Sequence, residues 1–346
     1  MAGSTSLLAW RIVQGVRPQT GELVRVIDRA GCDDLLRSVV LNLELAGATP
    51  LVELAAPDHV AAVLKAAERA YLSQYDHHRR AWIAHADRMV SLDAGYLALD
   101  DVDDEALALW SAAQERLTAA EDARRLLSFS VAVPTPMQAA RLGIAFEALE
   151  EMLFEANTLS LFDLQDDMLR IQQQLEQSDA LIIRSGSNCE LHIVRGERPL
   201  LSDDGYIDEA DQARGILTSS LPAGLVYFTV LEDQTEGSLY LPVAGEARDV
   251  TLRFERGRIV CVEAAEGGAA FSNFLDAHSG EARRISHIGI GANRALRQPI
   301  GWPEVDERVR GMIFIALGEN RYLGGNNASS LHAAFLMPEA SIEVSR

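Results

Sequence analysis

Two histidines set in glycine- and asparagine-rich runs are the residues of this chain best placed to do chemistry. His287 opens the run His287-Ile-Gly-Ile-Gly-Ala-Asn293, and His332 closes Gly324-Gly-Asn-Asn-Ala-Ser-Ser-Leu-His332. A neutral imidazole can ligate a metal, move a proton or take part in a hydrogen bond. Standing alone at the end of a small polar turn, His332 would only hydrogen-bond a backbone carbonyl. Asn293, Asn326 and Asn327 stand within two residues of glycines and read as left-handed turn residues. Among the other histidines, His77, His78 and His85 are interleaved with Arg79, Arg80 and Asp87 and read as a solvated helix face. His192 lies mid-strand near Glu190, facing either the core or a pocket.

The elements that must carry these residues fall into two textures. Glu22–Ile27 and Leu51–Leu54 have strand character. Cys32–Leu45 has helical periodicity, with Leu35, Leu36, Val39, Val40 and Leu43 on one face, and Pro57 and Asp58 open another helix. Alternation of strand and helix at this spacing indicates an α/β layer with parallel strands. Asp101–Leu127 and Met137–Gln177 read as helical, separated by the breaker Pro134-Thr-Pro136. Beyond Ala180 come short strands and glycine-rich turns: Leu181–Arg184, Cys189–Val194, Leu225–Leu231, Ser238–Leu241, Val250–Phe254 and Arg258–Glu263. The expected architecture is α/β: a Rossmann-like N-terminal α/β domain with a helical extension over residues 1–170, then a C-terminal mixed α+β domain over residues 171–346 that holds both histidines.

Bulk properties narrow the function classes. With 346 residues the chain can build two ordinary cores. Lys plus Arg number 31 against 51 Asp plus Glu, a net charge of −20 that repels phosphate backbones and argues against a nucleic-acid partner. No apolar run approaches the ~18–20 residues that span a bilayer, so no membrane partner is expected. The first residues, Met1 to Gly15, lack the basic start of a signal peptide. Cys32, Cys189 and Cys261 are odd in number and far apart, which speaks against a disulfide framework or a structural zinc and for a reducing cytoplasm.

Three pieces, in this order, resemble one known frame: Leu221-Pro-Ala-Gly224, the His287–Asn293 run, and Gly324–His332, with Met312-Ile-Phe-Ile-Ala-Leu-Gly318 between the last two. The chain is identified by these as similar to the M29 metallopeptidases (aminopeptidase T-like) and to their relatives, the 2,5-dihydroxypyridine dioxygenases. The resemblance implies an M29-type C-terminal domain and association into homo-oligomers, a homodimer being the simplest. In the peptidase pattern metal-binding carboxylates or imidazoles fall at Leu225, His287, Phe314, His332 and Ala334, and of these only His332 keeps its type. Leu, Phe and Ala neither neutralise a metal nor activate water, so co-catalytic aminopeptidase chemistry is not expected. In the dioxygenase pattern both imidazoles, His287 and His332, survive, but the carboxylate of the facial triad falls at Ala334. Glu190, Glu232 and Glu236 are candidate replacements.

What the resemblance leaves is a cleft that has exchanged charge for apolar surface. Leu225, Phe314 and Ala334 would line it, while Tyr227, Tyr322, Asn293 and Asn326 supply hydrogen bonds around His287 and His332. Such a concavity suits a ligand. The expected function is therefore a metal-free, catalytically inactive pseudo-metallopeptidase that binds a peptide or peptide-derived small molecule, as an accessory protein of peptide natural-product biosynthesis. The alternative is a mononuclear Fe(II) or Zn(II) enzyme, dioxygenase-like or aminopeptidase-like, using His287 and His332 with a displaced carboxylate.

Overall fold

A computed structural model describes residues 2–344. The chain forms two compact units, one from the residues up to Thr158 together with Gly205–Ala223, the other from Leu159–Asp204 and Gly224 onward. The sequence reading puts its boundary at residue 170, inside the helix Leu161–Leu175. It also lacks the return of Gly205–Ala223 to the first unit.

Strands are numbered in chain order. The first unit is a five-stranded sheet of β1 (Leu23–Arg29), β2 (Thr49–Leu54), β3 (Arg88–Asp93), β4 (Leu127–Ala132) and β8 (Thr218–Leu221), in the order β2-β1-β3-β4-β8. Every pair is parallel, as a doubly wound α/β layer requires. Residues 24–28 of β1 are buried in succession, the pattern of a strand covered on both faces. Arg25 is buried among them because Glu53 (2.7 Å) and Glu121 (2.6 Å) pair with it. β3 and β4, two of the three inner strands of this sheet, escape the sequence reading. Arg88 and the serines of Leu127-Ser-Phe-Ser-Val-Ala132 disguise them as polar segments. Arg88 is nevertheless buried, held by Glu22 at 2.5 Å.

The second unit holds two antiparallel sheets. One has β5 (Ala180–Ser185), β6 (Cys189–Val194), β10 (Glu236–Ala244), β11 (Ala247–Glu255), β12 (Arg258–Glu266) and β16 (Ser341–Val344), ordered β12-β11-β10-β6-β5-β16. The other has β7 (Leu201–Asp203), β9 (Leu225–Phe228), β13 (Ile285–Gly291), β14 (Ile313–Gly318) and β15 (His332–Met337), ordered β15-β14-β13-β9-β7. Val226, Phe228, Ile288, Ile290, Ile313, Ile315, Leu317, Phe335 and Met337 alternate onto one face of this second sheet and are all buried. The opposite face carries both histidines. No helix among the described residues is long and apolar enough to cross a membrane.

Candidate functional site

Residues directly opposed across an antiparallel ladder share a face. Leu225 opposes Gly291; Tyr227, Gly289, Phe314 and Leu336 form one cross-strand row; His287, Ala316 and Ala334 form the next; His332 opposes Gly318. Six of the predicted residues, Leu225, Tyr227, His287, Phe314, His332 and Ala334, therefore come to a single face of one sheet. Leu225 and Phe314 are buried there instead of lining an open cleft, and of the six only His332 and Ala334 are exposed.

A β-bulge puts His287 there. Ile285 opposes Leu317 and His287 opposes Ala316, so Ser286 is an extra residue in β13. Strict alternation from Ile285, which sits on the apolar face, would send His287 to that same face. The extra residue turns it to the other. The loop after β14 closes over the bulge. Asn320 donates to the Ser286 carbonyl (3.2 Å) and Asn327 to the Ile285 carbonyl (2.8 Å). The Ser286 hydroxyl donates to the Glu319 carbonyl at 2.5 Å.

Around His287 the rings form a tight set. Tyr227 and Phe314 stand edge-on to it, with centroids at 5.9 and 5.6 Å, and His332 lies nearly parallel at 5.4 Å. The Tyr322 hydroxyl and His332 Nε2 are hydrogen-bonded at 2.8 Å, so His332 finds a side-chain partner instead of the backbone carbonyl expected from its turn. Ala334 is exposed at the sheet edge and lines a cavity of about 740 Å³, together with Phe271, Phe274, Val243, Pro303 and Leu336.

Burial governs the charge state of the site. His287 is pushed down to about 3, first by burial and then by the neighbouring His332 and the Arg308 guanidinium, so it is neutral at physiological pH. His332 is also lowered by burial, against the opposing pull of Glu319. Tyr322 is raised, chiefly by burial, and keeps its proton. Glu307 is raised by burial, although the adjacent Arg308 pairs with it and pulls the other way.

Other predicted residues lie elsewhere. Asn293 is fully buried, accepting from the Ala295 N–H at 3.1 Å, so it faces no cleft. Asn326 is exposed, but its backbone N–H (2.6 Å) and its side-chain amide (3.3 Å) both donate to Glu232. None of Asn293, Asn326 or Asn327 is left-handed; Gly324 takes that conformation at φ +83°, and the asparagine amides serve as clamps. His192 is exposed beside Glu190 at 4.0 Å, and His77, His78 and His85 are exposed as expected.

The candidate replacement carboxylates are engaged in other contacts. Glu232 holds Arg198 and Asn326, Glu190 pairs with Arg184, and Glu236 accepts from the Arg256 N–H. Among the described residues no three of His, Cys, Asp and Glu gather where they could hold a metal. Sequence reasoning missed Ser286, Glu307, Arg308 and Glu319. Nothing in their spacing marks them, since their roles arise from the bulge and the loop folded over it.

The thermophilic metalloprotease (M29) family model matches residues 7–344. The chain belongs to this family. A 2,5-dihydroxypyridine 5,6-dioxygenase of Pseudomonas putida is 26% identical over 188 residues, which are 49% of this chain and 52% of that protein; the chain thus spans about half the length of this curated relative. The fold is shared with wild-type AmpT from Thermus thermophilus at a TM-score of 0.71 and 17% identity, over 98% of this chain and 94% of that one. The metal that the M29 name implies calls for a donor set this face does not offer: two imidazoles converge, with Leu225, Phe314 and Ala334 beside them and no carboxylate. Those residues do not fit a metallopeptidase metal pair.

Proposed function

We propose that this M29 protein binds a peptide or a peptide-derived small molecule on the β9–β13–β14–β15 face and does not hydrolyse it. The observation that carries this is the presence of Leu225, Phe314 and Ala334, and of no carboxylate grouped with the two imidazoles among the described residues, on the face that brings His287 and His332 together. A deep imidazole with aromatic walls, next to a largely apolar cavity of about 740 Å³, is the composition of a binding site. An accessory role in peptide natural-product biosynthesis, as a cytoplasmic homo-oligomer without a resident metal, completes the reading. Calorimetric titration with a library of short peptides, alongside peptidase assays with added Zn(II), Mn(II) or Fe(II), tests it. Micromolar binding without turnover is the expected result; metal-dependent cleavage would overturn it.

The second reading, a mononuclear Fe(II) or Zn(II) enzyme, draws on two observations: the parallel approach of His287 and His332 at 5.4 Å, and the dioxygenase relative. Metal content after anaerobic incubation, with His332→Ala as control, separates the two. About one metal per chain, lost in the control, would favour the enzyme.

A further inference from the structure

Around His287 the hydrogen atoms can be placed by elimination. The Ser286 hydroxyl has one proton and gives it to the Glu319 carbonyl at 2.5 Å. Towards His287 Nδ1, 3.2 Å away, the same oxygen can only accept, so Nδ1 carries the ring proton. Nε2 is left with a bare lone pair. It has no hydrogen-bond partner among the described residues, although the residue is only 7% exposed, and it is not among the polar atoms sealed from solvent. Tyr227, Phe314 and His332 surround the ring on the site face. An acceptor that has no protein partner and is not sealed off is satisfied from the site face, by water or by a ligand that displaces it.

We propose that His287 Nε2 is a fixed hydrogen-bond acceptor of the site and that it takes a backbone amide N–H of the bound peptide. The donor's identity rests on the peptide-binding reading; the acceptor role does not. Three chemistries compete for this lone pair. A ligand carboxylate would meet it lone pair to lone pair and is repelled. An ammonium group would lose its hydration beside the Arg308 guanidinium, whose field already reaches His287. An uncharged N–H suffers neither penalty. Ser286 is thus a positioning residue, acting on the ligand only through the tautomer it imposes, and the bulge in β13 sets it next to the ring it holds.

The test uses the full chain labelled with nitrogen-15 histidine, read by imidazole nitrogen resonances and assigned with His287→Gln. Near neutral pH His287 should show a protonated Nδ1 and a bare Nε2. N-methylacetamide, which carries an N–H, should move the Nε2 resonance; N,N-dimethylacetamide, which has none, should leave it in place. Ser286→Ala should mix the tautomers and weaken the response, and Ser286→Thr should restore both. A protonated Nε2, or an equal response to the two amides, would overturn the proposal. So would one equivalent of Zn(II) shifting His287 and His332 together and abolishing the amide response. An amide response without binding of any library peptide would remove the peptide as donor while leaving the acceptor in place.

Discussion

The imidazoles of His287 and His332 lie 5.4 Å apart and within 20° of parallel, reached from two strands separated by β14. Ala316 stands between them on the same face, so no side chain larger than a methyl group intervenes. The neighbouring His332 makes protonation of His287 harder, because a charge on one opposes a charge on the other.

Burial first, and that coupling second, give stability a pH dependence. Folded His287 stays unprotonated down to about 3, whereas the unfolded chain accepts the proton near 6.5. Between those values the unfolded state binds more protons. Stability is therefore full above about pH 6.5 and falls as pH drops. By pH 5 the loss from His287 should reach about 2 kcal/mol, with His332 adding in the same direction. Urea unfolding at the two pH values checks this. His287→Gln should flatten the profile, and an already flat profile in the parent chain would contradict a buried neutral ring.

Restoring one carboxylate should restore metal affinity. Ala334 lies two residues from His332 on the same face of β15 and in the same row as His287. Ala334→Asp would supply the carboxylate of a two-histidine, one-carboxylate set. The variant should gain about one equivalent of Fe(II) or Zn(II) by mass spectrometry, and Ala334→Asn should not. No uptake by Ala334→Asp would mean that the rows are too far apart to converge, and equal uptake by both variants would mean that the carboxylate is not a ligand.

Gly289 is required by Phe314. The two residues oppose each other, and a Cβ on Gly289 would overlap the Phe314 ring. Gly289→Ala should cost about 1–3 kcal/mol through overpacking. Phe314→Leu in the same chain should recover part of that loss in thermal unfolding. Purely additive losses would show that the clash is relieved elsewhere.

Glu232 secures the loop that covers the bulge. It accepts from the Asn326 N–H at 2.6 Å and from Arg198 at 3.0 Å, and its carboxyl lies below the usual range because these contacts outweigh burial, its largest single influence. Glu232→Gln should destabilise the chain by about 1–3 kcal/mol. Added to Ala334→Asp, it should leave that variant's metal uptake unchanged, since this carboxylate holds a loop. A fall in that uptake would place Glu232 in the metal site instead.

The site was legible in the sequence where residue type and order suffice. Leu225, His287, Phe314, His332 and Ala334 can be singled out by position within a family frame, but their common face depends on the register of β9, β13, β14 and β15. What could not be read was the extra residue in β13. Ser286 looks like any serine beside a histidine until its neighbour across the ladder is known. By sequence alone Asn326 belongs to the cleft, because nothing local shows a glutamate 94 residues away taking its hydrogen bonds. In the parallel sheet, β3 and β4 were hidden because tertiary pairing sets strand identity more strongly than composition does. Arg88 becomes a strand residue only once Glu22 neutralises it.

The return of Gly205–Ala223 to the first unit also orders events during synthesis. β8, which closes one side of the parallel sheet next to β4, leaves the ribosome after β5, β6 and β7, so a growing chain that has reached Thr158 has a bare β4 edge. Unpaired backbone of that kind recruits other strands. A nascent chain stalled there should be a client for chaperones, and the carboxyl-terminal part of the protein must be well under way before the amino-terminal part can finish folding.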